Sequence, residues 1–496
     1  MKRNLFLASL LACSSFLMAQ THEDALLFSD NSIAGTARSA AMGNAFGALG
    51  ADISSLSINP AGLGVYRSYD FSLTTNLGMR EMTSYYNGNK TVDAAGNFNI
   101  SSLGFVLPYK RSKEGDWRRT NVGFAYNKTN IFKANTTIRG YSNTSIVDVF
   151  HDYAQGAAME DLNPFYESGA FWTDLIDLSV DTAGDWVDDG NYYREVDAGQ
   201  DQYKHTSVSG SMGEFAMSYA GSYKERLYLG ATLGFTSIEY AKKSRYNESG
   251  FADDSTTVQS FDLYENVYTS GGGVNLKLGG ILRVNDNLRL GLAWHSPTYY
   301  SMQDEWEMML DVNHELNDSA YSYSYTSPYG MYNYDLKTPM KLVTSAAVVL
   351  NKKLVLSADL EYLDYGTMQL SGDRMDYEYF DAENDFLDRY VQTYNVRLGA
   401  EYNLGAIILR GGYSKYGTPL YDYSDAVFIM PNLDIYAPER QSFSCGIGKR
   451  NDFSYVDFAY TFTEQAAFDN LYNNWQSEYK QVNSYHNIMV TMGWKF

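Results

Sequence analysis

The chemically suggestive residues of this chain are charges set at the polar positions of alternating segments. Lys277, Arg283, Arg397 and Arg410 occupy the polar positions of segments in which apolar and polar residues alternate. The acids Asp359, Glu361, Glu401 and Asp457 take the equivalent positions of other such segments. A strand repeats its side-chain direction every two residues, so these charges line one side of a sheet. The cations can meet the carboxylate head group of a ligand, or they can neutralise the acids on their own face; residue type alone allows both. His295 shares that face, which admits another chemistry, a haem iron with histidine or tyrosine as axial ligand. Hydrolysis has no support. The chain holds no Gly-x-Ser-x-Gly element, and His22, His151, His205, His295, His314 and His486 form no pair with metal-ligand spacing. It reads as a non-enzyme with no resident cofactor or metal.

A second kind of candidate lies near the amino terminus, where Asn59-Pro60-Ala61 closes a stretch rich in Ala, Gly and Ser. Proline fixes its own φ and biases the residue before it to extended backbone, so Asn59-Pro60 makes a defined bend. Gly43, Gly47 and Gly50 permit close backbone packing. Residues 20–66 show little alternation, and they are too long for a tail yet too small for a core of their own. They are expected to lodge as a plug inside whatever the later segments enclose.

Those later segments set the architecture. From residue 68 onward fourteen of them alternate, as in Leu227/Leu229/Ala231/Leu233/Phe235 against Tyr228/Gly230/Thr232/Gly234. The last runs from His486 to an aromatic carboxy-terminus, with Ile488, Val490, Met492, Trp494 and Phe496 on one face. Tight turns near 111–116, 221–225, 285–287, 351–353, 403–405 and 450–452 alternate with long links near 84–96, 139–204, 244–259, 301–337, 370–390, 418–438 and 464–484. Short turns at one end and long links at the other suit a membrane barrel, whereas a soluble sandwich has no reason to sort them. Within the link 139–204, Ile146, Val149, Phe150, Tyr153 and Ala157 recur at helical spacing, so this loop is expected to fold over the barrel mouth or a ligand.

Lys2 and Arg3, an apolar stretch from Leu5, and Leu17-Met18-Ala19 read as a signal peptide over residues 1–19. Leu10-Leu11-Ala12-Cys13 also fits a lipid-attachment box, although the apolar region ahead of Cys13 is very short. No later apolar run reaches the ~20 residues of a spanning helix. A membrane chain without one must close its strands on themselves, because open sheet edges are not satisfied in lipid. The 44 tyrosines suit aromatic girdles at two interfaces, and a mean hydropathy of −0.35 suits a wet bore with large outer loops. The net charge of −21 speaks against nucleic acid; the excess acid falls in stretches such as 181–201 and 373–388.

The expected fold is therefore all-β, a fourteen-stranded antiparallel transmembrane β-barrel over residues 67–496. The 20–66 segment plugs its lumen, and its extracellular loops are long and partly helical. It is expected in the outer membrane of a Gram-negative bacterium as a monomer. Its contacts there are outer-membrane lipid and, through the strand ending at Phe496, the barrel-assembly machinery. Cys445, alone once the signal is removed, is expected on the lipid-facing side with no disulfide.

Ala37-Arg38-Ser39-Ala40-Ala41-Met42-Gly43-Asn44-Ala45-Phe46, followed by Ser57-Ile58-Asn59-Pro60-Ala61-Gly62-Leu63, resembles the amino-terminal plug of the FadL/TodX family of outer-membrane transporters. The resemblance continues in Lys337-Thr338-Pro339, Ser357-Ala358-Asp359-Leu360-Glu361-Tyr362, Leu409-Arg410-Gly411-Gly412-Tyr413 and Pro438-Glu439-Arg440. It covers both ends of the mature chain but not the loops. It implies passive diffusion of a hydrophobic small molecule, a long-chain fatty acid or an aromatic hydrocarbon, through a plugged barrel, with Asn59, Pro60 and Ala61 in the plug. The family's ligand-contacting basic residues do not map onto Lys277, Arg283, Arg397 or Arg410. Two alternatives stay open: a haemin-binding receptor, and a carrier of the kind that FadL-like barrels resemble in type IX secretion, whose outer loops hold a protein cargo.

Overall fold

The computed structural model describes residues 21–30, 34–110, 115–180, 186–196, 199–252, 255–372, 377–419 and 440–496. The expected signal peptide with Cys13, the Pro438-Glu439 pair, most of the 111–116 turn and of the 418–438 link, and parts of both acidic stretches lie outside the described residues.

The chain opens with three short helices, α1 (His22–Ser29), α2 (Ala37–Ala41) and α3 (Ser55–Ile58), and a 3-10 turn over Pro60–Val65. Strands β1 (Asp70–Tyr86), β2 (Asn89–Lys110), β3 (Trp117–Ile131) and β4 (Ala134–Ser142) follow. The longest outer loop then carries α4 (Ile146–Ala154), α5 (Glu167–Trp172), β5 (Ile176–Leu178) and β6 (Tyr192–Arg194). Next come β7 (Gln200–Tyr223), β8 (Leu227–Ser249), β9 (Val258–Arg283), β10 (Leu288–His295), β11 (Tyr299–Leu316), β12 (Ser319–Thr326), β13 (Gly330–Lys337) and β14 (Lys341–Leu350). The chain ends with β15 (Leu354–Asp364), β16 (Gln369–Ser371), α6 (Tyr377–Leu387), β17 (Gln392–Asn403), β18 (Ile407–Tyr416), β19 (Arg440–Arg450), β20 (Ser454–Asn470) and β21 (Glu478–Lys495).

Counting interrupted strands once, these make fourteen antiparallel passes in one sheet. The sheet closes on itself because β1 pairs with β21, Thr74 opposite Thr491. Phe496 completes the seam by donating its amide to the Tyr69 carbonyl at 3.2 Å. Outward-facing Leu229, Leu233, Phe235, Leu278, Leu292, Leu398 and Ile488 are exposed, while the alternate residues are buried or half-buried. An exposed belt of that kind is an inside-out surface that only lipid covers favourably. Cys445 lies on it, exposed and free, as expected. Among the described residues no helix is long and apolar enough to cross a membrane.

The tight turns at 224–226, 284–287, 351–353, 404–406 and 451–453 stand where expected. Four of the long links need correction. Those near 84–96, 244–259, 301–337 and 464–484 are mostly strand, carried past the membrane as paired hairpins. Two of these hairpins turn at Asn87-Gly88 and Asn317-Asp318, all four at positive φ, a pattern that matches the twist of a hairpin. The 139–204 loop does fold over the mouth. Phe150, Tyr166, Phe171, Leu175 and Ile176 pack with Tyr246, Phe261 and Leu310 from the outer reaches of β8, β9 and β11. Ser145 caps α4, and its hydroxyl donates to the buried carboxylate of Glu248 at 2.6 Å.

Two facing prolines interrupt the wall. Pro297 and Pro339 separate β10 from β11 and β13 from β14 at facing positions, since proline brings no amide to the ladder. Thr298 donates its amide to Thr338 Oγ1, and Thr338 donates its amide to the Thr298 carbonyl, each at 3.0 Å.

Candidate functional site

Residues 34–66 lie against the inward faces of the strands, almost entirely buried. Their backbone is bonded all around the wall. The Ala37 amide donates to Thr491 Oγ1 (2.7 Å), the Gly47 amide to Asp359 (3.0 Å), and the Leu49 carbonyl accepts from Arg289 (2.9 Å). The Leu63 carbonyl accepts from Asn121 (2.6 Å), and the Gly43 carbonyl from Ser414 (2.8 Å). A backbone taken from water needs such partners; the segment's own short helices and turns supply many of them, as in Ala51 to Gly62 and Asn59 to Ser55, and the wall supplies the rest.

The Asn59-Pro60-Ala61 triplet sits at the tightest approach. Asn59 Oδ1 accepts from the Ala61 amide at 3.1 Å, and Nδ2 donates to the Gly47 carbonyl at 2.6 Å. Longer contacts run from Nδ2 to the carbonyls of Gly280 (3.3 Å) and Leu292 (3.5 Å). Pro60 begins the 3-10 turn, where its missing amide costs nothing, and Ala61 packs against Tyr228 and Ile281. The wall opposite is glycine because nothing larger fits. A Cβ on Gly279 would stand 2.0 Å from Asn59 Oδ1, and one on Gly230 would stand 2.4 Å from the Pro60 carbonyl oxygen.

Most of the lumen cations are paired with acids. Arg397 donates to Glu361 at 2.9 Å, and Asn395 holds the same carboxylate at 2.8 Å. Arg410 bridges Glu401 (2.8 Å) and Asp457 (2.6 Å). Lys277 is bonded to both oxygens of Glu214, which also accepts from Ser57 Oγ at 2.8 Å. Arg283 is not brought to this group. It stands at the turn after β9 and pairs with exposed Asp286 at 2.6 Å. His295 faces the bore as expected, with Nε2 3.0 Å from the Ile58 carbonyl. Among the described residues no group of three or more His, Cys, Asp or Glu side chains stands ready to hold a metal.

Several participants were not singled out from the sequence. Arg38 grips Glu401 with two bonds, at 2.9 and 3.0 Å, and so ties α2 to the pairs around Arg410. Its signal was its solitude, the one charge in a run of small residues. Arg440 stood only within the Pro438-Glu439-Arg440 resemblance, and Glu214, Arg80 and Asp30 carried no mark at all.

Toward the outer end the bore holds an apolar pocket, and the chain's own α1 fills it. Phe28 meets Phe132 and Tyr240 edge-on, at centroid distances of 6.1 and 5.8 Å, within a cluster that includes Met212, Tyr300, Met302, Leu363 and Tyr390. Polar contacts fix both ends of α1. His22 Nδ1 lies 3.0 Å from Glu383 and its ring stacks on Phe386, while Asp30 accepts from Arg440 at 2.6 and 3.2 Å. Deeper in, two cavities of about 60 and about 180 Å³ adjoin at Asn44, Thr129 and Tyr416, and charged, amide and hydroxyl side chains make up most of their lining. Apolar and polar space are thus separate in this bore.

No protein-family model matches the chain, and no curated protein matches it in sequence. Solved structures do match in fold. A FadL homologue of Pseudomonas aeruginosa aligns over 94% of this chain and 100% of its own, at a TM-score of 0.56 and 11% identity. The toluene transporter TbuX of Ralstonia pickettii aligns over 95% and 100%, at 0.51 and 14%. The deltaS2 mutant of the TodX monoaromatic hydrocarbon channel aligns over 93% and 98%, at 0.51 and 14%. At these identities the likeness is one of fold: the chain has the architecture of an outer-membrane β-barrel of the FadL/TodX kind.

Proposed function

We propose that this barrel lets hydrophobic small molecules, long-chain fatty acids or aromatic hydrocarbons, cross the outer membrane by diffusion, with residues 34–66 acting as the plug. The observation that carries the reading is the aromatic pocket at the outer end of a bore that is otherwise stoppered. A water-filled porin has no use for such a pocket, and small polar solutes gain nothing from it. A solute that displaces α1 from it gains ~0.8 kcal/mol for each CH₂ buried there, so the cluster can take an apolar solute from water once Phe28 has withdrawn. A long chain would then stay bound unless a second apolar phase drew it off, and the bilayer beyond the wall is such a phase. The proteins of like fold named as a toluene transporter and a monoaromatic hydrocarbon channel support the same class of solute.

The test is uptake of labelled oleate and toluene by cells lacking the gene, with the intact gene restored as control. Uptake that falls on deletion and returns on restoration is expected. Uptake of both solutes that is indifferent to the gene would end the proposal.

A further inference from the structure

The larger cavity, on the β1–β21 side of the bore, takes no part in the uptake reading. It lies against Ala40 and Gly43 of the inner segment and holds about 180 Å³, room for a small solute only. Its walls carry three cations, Arg80, Lys128 and Arg440, and no carboxylate. Arg440 is answered by Asp30. Arg80 is not. Its Nη2 donates to the Ile131 carbonyl at 3.2 Å, its guanidinium lies over the Tyr485 ring at 4.9 Å, and its Nε is buried without a hydrogen-bond partner. Lys128 reaches the Ser211 hydroxyl and meets no acid among the described residues.

The neutral part of the wall points the same way. Asn76, Gln465, Asn483 and Asn487 line the cavity, and the side-chain oxygens of Asn76 and Asn483 are buried without donors. Native interiors rarely leave such oxygens unmatched, and half-buried Arg80 and Lys128 bring positive charge to the same wall without a carboxylate on it. What would satisfy this wall is a negative charge for Arg80 and Lys128 together with hydroxyl donors for the asparagine oxygens. An alkane or arene brings neither, and a plain carboxylate brings only the first.

We infer that this cavity binds a small hydroxylated anion, a carboxylate or phosphate carried on a polyol or sugar. A bidentate guanidinium contact with the anion is the interaction for which arginine is suited over lysine. The site is distinct from the apolar pocket, so hydrocarbon uptake neither supports nor refutes it.

The test is calorimetric titration of the full-length detergent-solubilised protein with gluconate and glycerol 3-phosphate, against sorbitol and butyrate as the neutral and the unhydroxylated controls. Gluconate or glycerol phosphate should bind at least tenfold more tightly than either control, with affinity falling as salt rises. Arg80→Gln should weaken that binding at least tenfold while the folded band on unheated gels is retained. Lys128→Gln, which removes one exchangeable contact, decides the matter should Arg80→Gln not fold, and a loss of severalfold is expected. Butyrate or sorbitol binding as well as the hydroxylated anions, no probe binding at all, or affinities unmoved by the folded variants would each overturn the inference.

Discussion

Replacing Asn59 by alanine should loosen the inner segment from the wall without unfolding the barrel. The change removes the 2.6 Å bond to the Gly47 carbonyl and the 3.1 Å bond from the Ala61 amide. Each is worth ~0.5–1.5 kcal/mol net, and a buried group left unpaired costs ~1–3 kcal/mol, so the docked state should lose about 2–4 kcal/mol. At about 1.4 kcal/mol per decade this raises the undocked population roughly 30- to 900-fold. Hydrogen exchange read by mass spectrometry reports it directly. Peptides from 37–65 should exchange faster by that factor, and peptides from β7, β8 and β9 should not change. The geometry sets a sharper condition through Gly279→Ala, whose new Cβ would lie 2.0 Å from Asn59 Oδ1. Asn59→Ala removes that oxygen, so the double variant should be less impaired than the sum of the two singles. Acceleration below about threefold (~0.6 kcal/mol), or strict additivity of the pair, would refute the idea that this asparagine clamps the segment to a glycine-lined wall.

Lys277→Met should strand the Glu214 carboxylate in the bore and cost ~3–5 kcal/mol, with most of the loss recovered by adding Glu214→Gln. The temperature at which the folded band disappears on gels measures both variants, and a double variant no better than the single would contradict the pairing. Glu248 lies beyond the lipid-facing belt, beneath α4, where burial pushes its carboxyl from 4.5 up to about 7 although Ser145, Gln200 and Gln202 donate to it. The folded loop therefore keeps a proton that the unfolded loop releases above pH 4.5. Loop stability should fall as pH climbs from 4.5 to about 7 and level off beyond, by a total on the order of 3 kcal/mol. Thermal melts followed by the fluorescence of Trp172 and Trp186 should show that slope, and Glu248→Gln should abolish it. A flat wild-type profile would count against the burial argument.

The barrel was legible because lipid on one side and packed interior on the other impose a period of two, which β8 keeps over 232–235 and β21 over 488–494. Beyond the membrane that contrast disappears. In β12 Tyr321, Tyr323 and Tyr325 alternate with Ser322, Ser324 and Thr326, yet nearly every side chain is exposed, so no apolar face marks the strand although its backbone is paired. The ion pairs were hidden for another reason. Which charges meet depends on register, and register is not written in composition. Asp359 stands directly opposite Arg397, but Arg397 bonds the diagonal Glu361 while Asp359 turns to the Gly47 amide. Lys277 and Glu214 come from β9 and β7, with β8 between them. The Asn-Pro-Ala triplet could be found because proline restricts the backbone locally. Arg80 could not, since beside Glu81 it looks like half of an ordinary surface pair.

The paired prolines at 297 and 339 have a mechanical consequence. A closed cylinder is stiff because every rung of its ladder shares the load around the hoop. Over 296–298 and 338–340 two hydrogen bonds join strands that on either side are zipped residue by residue. Ser296, Thr298, Thr338 and Pro339 also front the smaller cavity, so the partition between bore and bilayer is weakest where there is already room behind it. Bending or stretching of the wall will concentrate along that line, and the rest of the cylinder can remain rigid while it does.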